Sequence, residues 1–504
     1  MKKKFLLIPL VLLVASCQPQ QTTQTDETEP QGVTFHSSDS DLNDLFTWAK
    51  SQALAYAFDD DPVGPWYEAS LPGREAFCMR DVSHQSMGAH ILGLAEYTKN
   101  MLLKFAENVS ESRDWCSYWE IDRYGNPAVV DYYDDGSFWY NLPANFDVLD
   151  CCYRMYQWTG DRTYIDDPVF LNFYRRTVYD YVERWNLELD RIMKRQRIMN
   201  MRDSIGGVNR FQLARGIPGY DEGDPGFVVA LDMVVTMQAG YRAYSRVMML
   251  HGDEEEAGKF LDKAEAVRTF IETVWWDKEN ERFYTNINKD YELSYFGPDH
   301  SIPYWNGTDD EEKMRAVVDE FAEQVAETPS DRVEGLSHLS ETLYRYGEHD
   351  TAYDLLMRLM NSGRKEYPEV SYTTVASIIN GLMGIELEIF PPGMAQTMGY
   401  YVDKYITTLP RLTSTTARAE IKNLVIRKNN ISVRHDGLKK TSLSNDSGPS
   451  FIWKAQLPGS YDSLLVNGEP VQSVQEKLFA VDQSVSWIRI TVGPGNSFTV
   501  EVPE

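Results

Sequence analysis

The densest run of ionisable side chains lies at residues 71–85, LPGREAFCMRDVSHQ, where Arg74, Glu75, Arg80, Asp81 and His84 stand just before an apolar helical stretch. Phe77 and Met79, set between the charges, argue that the segment is partly buried. Opposed charges are costly to bury unless a site uses them. The plainer reading is a helix cap, with Asp81 or Ser83 at the N-terminus and solvated ion pairs around it.

A second stretch, Asp131 to Pro143, interleaves rings with acids and amides. Tyr132, Tyr133 and Trp139 are the rings of interest. Such a mixture suits a sugar, whose C–H faces stack on aromatics while its hydroxyls meet side-chain oxygens. It lacks the ligand spacing of an EF-hand calcium loop. In a third stretch, Gly216 to Gly226, Asp221, Glu222 and Asp224 sit among four glycines. Glycine lets backbone approach a ligand, and clustered acids raise one another's pKa, as a general acid requires. An acidic surface turn is the competing reading. The fourth is Arg364 to Thr373, with Glu369 immediately before the last apolar helix; Glu334 to His338, before an earlier helix, is a weaker candidate. Either glutamate also suits a cap.

These loops need a frame, and the spacing of apolar residues supplies one. Helical patterning covers 41–57, 84–108, 226–250, 254–275, 312–326 and 371–385. Three junctions repeat one design, at Gly160-Asp161, Gly252-Asp253 and Gly347-Glu348. The glycine ends one helix in a left-handed cap, and the acid opens the next at the positive end of its dipole. Their spacing is about twice that of a helical-hairpin repeat. After Pro391-Pro392-Gly393 the texture changes to short alternating segments at 421–427, 430–435, 451–455, 463–466 and 486–492, separated by turn residues. The expected fold is mainly α, a toroid of helical hairpins over 35–393 followed by a β-sandwich over 394–504.

Composition narrows the partners. The chain of 504 residues carries 49 Lys and Arg against 76 Asp and Glu, a formal charge of −27 that repels nucleic acid. Lys2, Lys3 and Lys4 precede an apolar run ending Val14-Ala15-Ser16-Cys17, which resembles a bacterial lipoprotein signal. Residues 1–16 are read as that signal, Cys17 as the lipidated residue, and 17–34 as a Gln/Thr/Pro-rich tether. The expectation is an exported outer-membrane lipoprotein, held to the membrane by its lipid alone. Cys78, Cys116, Cys151 and Cys152 remain, and export permits three pairings of them. Buried apolar packing suits them better. With no CxxC or HExxH pattern, neither metal nor other cofactor is expected.

The repeated hairpins, the trailing β-rich segment and the acid-bearing loops resemble the six-hairpin glycosidases, whose catalytic domain is an (α/α)6 barrel. The resemblance covers about residues 35–390. It is strongest over Phe227–Tyr284, with LHGDEEEAGKFLDKAEAVRTFIETVWWDKENERFY. Within that superfamily the alpha-L-rhamnosidases carry an Arg-Asp-Glu-rich loop early in the barrel, a further Asp several residues on, and a base Glu shortly before the final helix. Arg74-Glu75, Asp81 and Glu369 are similar, although the family's Trp-Glu-x-Trp and Arg-x-Gly-Trp wording is absent. The resemblance implies Glu75 as general acid, Asp81 as its partner and Glu369 as the water-activating base. Trehalase-like members instead place the acid before the 226–250 helix, at Asp221, Glu222 or Asp224.

The implied activity is exo-acting hydrolysis of oligosaccharides ending in rhamnose or a uronic acid. Inversion requires two carboxyl groups roughly 6.5–9.5 Å apart with water between them. Two other readings stay open. Arg74, Arg80 and His84 near Tyr132 and Tyr133 also suit C5 proton abstraction from a uronate, by a lyase or dehydratase. A non-catalytic glycan-binding lipoprotein has a similar length and aromatic content.

Overall fold

In a computed structural model the chain is described at residues 32–196, 214–220, 226–389 and 404–503. Its helical body runs through α1 (Ser40–Ala55), α2 (Met79–Ile91), α3 (Ala95–Glu107), α4 (Ala144–Thr159), α5 (Pro168–Arg176) and α6 (Leu231–His251). It continues through α7 (Glu254–Val274), α8 (Ser301–Trp305), α9 (Glu311–Glu327), α10 (Ser340–Arg345), α11 (His349–Met360) and α12 (Pro368–Ala376).

The two kinds of helix follow from the sequence pattern. In α7 the buried side chains Ala257, Phe260, Ala264, Val267 and Ile271 fall on one stripe, and the rest face water. In α6 burial runs almost unbroken from Leu231 to Ser245, and in α12 every residue is buried. Helices buried all round form an inner set: α2 packs on α4, α4 on α6, α6 on α8, and α12 returns to α2. His300 and His338, Nε2 to Nε2 at 3.2 Å, link the segments before α8 and α10. The one-sided helices α1, α3, α7, α9 and α11 lie against the inner set, and α5 lies against α3. Each outer helix returns the chain, so the inner N-termini gather at one face, the upper mouth.

Gly160 and Gly252 end α4 and α6 with φ of 71° and 80°, the left-handed caps expected from sequence. Asp253 then accepts a hydrogen bond from the Glu256 amide. The single helix expected over 84–108 is instead two, α2 and α3, because Gly93 turns at φ 88° between them. The apolar spacing persists through that turn, so the pattern alone did not reveal the break. The last inner helix continues beyond Ala376 as a widened π turn, Ser377–Leu382.

The β elements form two larger sheets. One has the order Thr34–Ser37, Arg418–Ile426, Asn429–Asp436, Lys440–Ser447, Ser497–Glu501, Ser463–Val466, Glu469–Gln472. The other runs Glu386–Ile389, Lys404–Thr408, Phe451–Pro458, Ser484–Val492, Val474–Lys477. Thr34–Ser37, which precedes α1, is thus an antiparallel edge strand beside Arg418–Ile426. Strict alternation of buried and half-buried residues in Asn429–Asp436 gives that strand one core face. Trp453 is buried in the second sheet with its indole N–H donating to Thr408 Oγ1 at 2.9 Å.

Candidate active site

Two inner helices bring the central groups together. The short strand Ala76–Cys78 feeds α2, whose first turn carries Asp81 and whose second carries His84. Pro368 opens α12 at the position where its missing N–H costs nothing, and Glu369 follows in the first turn. α2 and α12 approach closely because Gly88 has no side chain. A Cβ there would stand 1.9 Å from the backbone oxygen of Tyr372.

The packing buries two carboxyl groups side by side. Asp81 is 1% exposed and Glu369 0%. Tyr367 donates to Asp81 Oδ2 at 2.7 Å, and Arg80 Nε lies 3.4 Å from Oδ1. Burial, followed by the nearby charge of Glu369, pushes the Asp81 carboxyl up to about 7, with Arg80 and the Tyr367 hydroxyl opposing. Glu369 Oε1 lies 2.8 Å from His84 Nδ1 and 3.4 Å from His338 Nδ1. The two imidazoles stack at 4.0 Å. Burial holds both well below the ordinary histidine range, so they are neutral near pH 7. His84, His338 and Glu369 place ligand atoms within 4.8 Å of one another, the requirement for holding a metal ion. Their stacked rings fit poorly, since one ion cannot lie in the plane of both imidazoles.

A cavity of about 350 Å³ opens at the upper mouth, walled by Asp81, Tyr367, Arg80, Trp119 and Trp139. Its far side carries a second acidic pair. Arg74 Nε lies 3.4 Å from Glu120, and an Arg74 terminal nitrogen lies 3.9 Å from Asp131. Burial, followed by the neighbouring Asp131 carboxyl, pushes Glu120 well above the usual carboxylate range. At α4, Tyr220 donates to Asp147 at 2.8 Å, and burial pushes Asp147 up to about 7.

Of the residues singled out from sequence, Arg74, Arg80, Asp81 and Trp139 line the upper cavity. His84 and Glu369 stand directly behind its wall, and Glu369 lines neither this cavity nor the one described below. Glu75 lies outside both. It occupies a left-handed turn at φ 55°, with a 58% exposed side chain paired to Arg123 at 2.6 Å. Tyr132 donates to Asp135 at 2.6 Å, and Tyr133 projects to solvent. Asp221, Glu222, Asp224 and Cys17 lie outside the described residues. The four other cysteines are buried free thiols.

Sequence reading passed over Glu120, whose short strand Glu120–Asp122 pairs with Ala76–Cys78. In the chain it stands between Trp119 and Ile121, outside the loops whose charges crowd together. Tyr367 and Asp131 were within stretches of interest but held no distinct signal. His338 was legible only as the neighbour of Glu334.

No protein-family profile matches the chain, and no curated protein matches it either. Solved structures do. The alpha-L-rhamnosidase from Dictyoglumus thermophilum superposes with a TM-score of 0.59 at 12% identity, covering 94% of this chain and 50% of that one. The GH78 family rhamnosidase of Bacillus sp. GL1 gives 0.53 at 12% identity, covering 82% and 40%. The chain therefore spans half the length of the first and less of the second. The similarity is one of fold, helical body and β-sheets together.

Proposed function

We propose that the chain is an exo-acting glycoside hydrolase of the six-hairpin type, its inner helices closing an (α/α)6 toroid around the carboxyl groups of the upper mouth. Asp81 takes the role of general acid that the sequence resemblance had implied for Glu75. Glu369 is the carboxylate that accepts the proton of the attacking water, positioned by His84 and His338. A terminal sugar lies in the upper cavity against Trp119 and Trp139, with Arg74, Glu120 and Asp131 facing its hydroxyls.

One observation carries this reading: two carboxyl groups from the first turns of adjacent inner helices are buried close together, and burial with the charge of Glu369 lets Asp81 hold a proton up to about pH 7. A carboxyl group that keeps its proton near neutral pH, beside a second carboxyl group, is what acid–base assistance of glycosidic cleavage needs. Glu369 lies behind Tyr367 and Asp81, so the mechanism requires water to reach it past the tyrosine once substrate is bound. The elimination reading has less support at this mouth, because Arg74 and Arg80 each already direct a guanidinium nitrogen at a carboxyl group of the protein, Glu120 and Asp81.

Rhamnose-ended oligosaccharides are the first substrates to try, given the fold shared with two rhamnosidases. Product mass spectrometry tests the class. Cleavage with one water gained supports hydrolysis, and products with none gained sink it. The resemblance of the segment ending at Cys17 to a lipoprotein signal supports the further proposal that the enzyme is exported and held to the membrane by lipid.

A further inference from the structure

A second and larger cavity, about 470 Å³, opens below the carboxyl groups, toward the C-terminal ends of the inner helices. Its lining is unusual for a chain of net charge −27, because arginine predominates: Arg154 from α4, Arg242 and Arg246 from α6, and Arg345 from α10. Arg345 is neutralised by Glu341 at 3.0 Å. The wall residue Glu386 is likewise neutralised by Arg411 at 2.8 Å. The other three arginines have no such partner. Arg154 donates to the Ser83 carbonyl at 2.8 Å, and Arg242 to the Trp305 carbonyl at 2.9 Å. Arg246 stands over the Tyr153 ring at 5.4 Å. Among the described residues none of these three reaches a carboxylate within ion-pair distance; Asp150 acts on Arg154 and Arg242, and Asp147 on Arg154, only at longer range.

Capping of helix carbonyls accounts for one N–H of Arg154 and one of Arg242. It does not account for three guanidinium groups converging on one concave space. Arg154 and Arg242 are half-buried and Arg246 is exposed at the rim, and their like charges repel, so the arrangement is best satisfied by an anion between them. Guanidinium forks match the oxygen spacing of carboxylate, sulfate and phosphate. Tyr304 and Trp305 add ring surface for the body of a small ligand. The floor is formed in part by Ser377 and Asn380 of the π turn, a distortion that recurs at functional sites.

We propose that this lower cavity is a binding site for a small oxyanion-bearing ligand, held by Arg154, Arg242 and Arg246. It is separate from the acid–base groups above and does not depend on the hydrolase reading. His84 and His338 line its roof while contacting Glu369, so an occupant would touch the same histidines that position that carboxylate.

The test is calorimetric titration of the purified chain with sodium glucuronate, sulfate and phosphate, at ionic strength matched with chloride. Saturable binding is expected. Arg246→Glu, at an exposed position, should weaken it about tenfold, and Asp150→Asn should tighten it about threefold, opposite signs that general destabilisation would not produce. Binding of glucuronate alone would assign a sugar acid, and binding of sulfate or phosphate as well would assign the oxyanion itself; both support the site. Absence of saturable binding to all three, or affinities unmoved in both variants, would overturn it. Circular dichroism of the unliganded variants establishes that they are folded.

Discussion

Tyr367 donates a hydrogen bond of 2.7 Å to Asp81 across 286 positions of chain, tying the first turn of α2 to the residue that precedes α12. The bond lies at the seam where the first and last inner helices meet. It holds Asp81 at the edge of the upper cavity while Glu369, two residues beyond Tyr367, stays behind the wall. This contact positions Asp81, while His84 and His338 hold Glu369.

Asp81→Asn should lower kcat by about 100- to 10,000-fold, the range expected for loss of a general acid. Glu75→Gln should stay within about threefold of the parent, because Glu75 is solvent-exposed and paired with Arg123. Steady-state rates on a cleaved oligosaccharide measure both. A severe loss from Glu75→Gln with full activity in Asp81→Asn would reverse the assignment.

Glu369→Gln should abolish turnover while leaving substrate binding intact, since the amide keeps the shape but cannot accept the water proton. Calorimetry with the inactive variant reads the binding. Retained turnover would remove Glu369 from the catalytic set.

The proton on Asp81 sets a pH dependence of both activity and stability. The rate should fall as pH rises through about 7, where Asp81 loses the proton it must donate. For stability the sign follows from a folded-state pKa raised above the unfolded value of about 3.9. The folded chain binds the proton more tightly, so this contribution is complete below about pH 4 and is lost as pH climbs through about 7. Asp81→Asn has no such titration. Denaturant midpoints of that variant should therefore gain on the parent between pH 4 and pH 8, and a constant gap across that range would refute the buried protonated acid.

Gly88→Ala should cost about 3 kcal/mol, at the upper end for overpacking a tight core. The new Cβ would meet the Tyr372 backbone oxygen, which cannot yield unless α2 and α12 separate. Urea unfolding measures the loss, and reduced activity in the folded fraction should accompany it because the same seam carries Asp81 and Glu369.

Cys17→Ser should release the protein from membranes into the soluble fraction, because lipid on Cys17 is the proposed anchor. Mass spectrometry of the parent N-terminal peptide should show a diacyl or triacyl cysteine. An unmodified Cys17 would overturn the anchor.

The sequence by itself determined the helical periodicity, the glycine-capped hairpins at Gly160 and Gly252, and the change to alternating β segments near the C-terminus. All of these are local, written in spacing, turn chemistry and caps. It also marked Arg74, Arg80, Asp81, His84, Trp139 and Glu369, because charges and rings crowded into short loops stand out along the chain. Tertiary structure decided what those residues do. Glu75 and Asp81 are six positions apart, yet a turn with positive φ sends one to solvent while helix packing buries the other. Glu120 became a neighbour of Arg74 only through pairing of two short strands. The four arginines of the lower cavity are scattered over α4, α6 and α10, each unremarkable in its own helix. Proton affinity and charge balance depend on burial and on neighbours distant in sequence, and those exist only after the helices have packed.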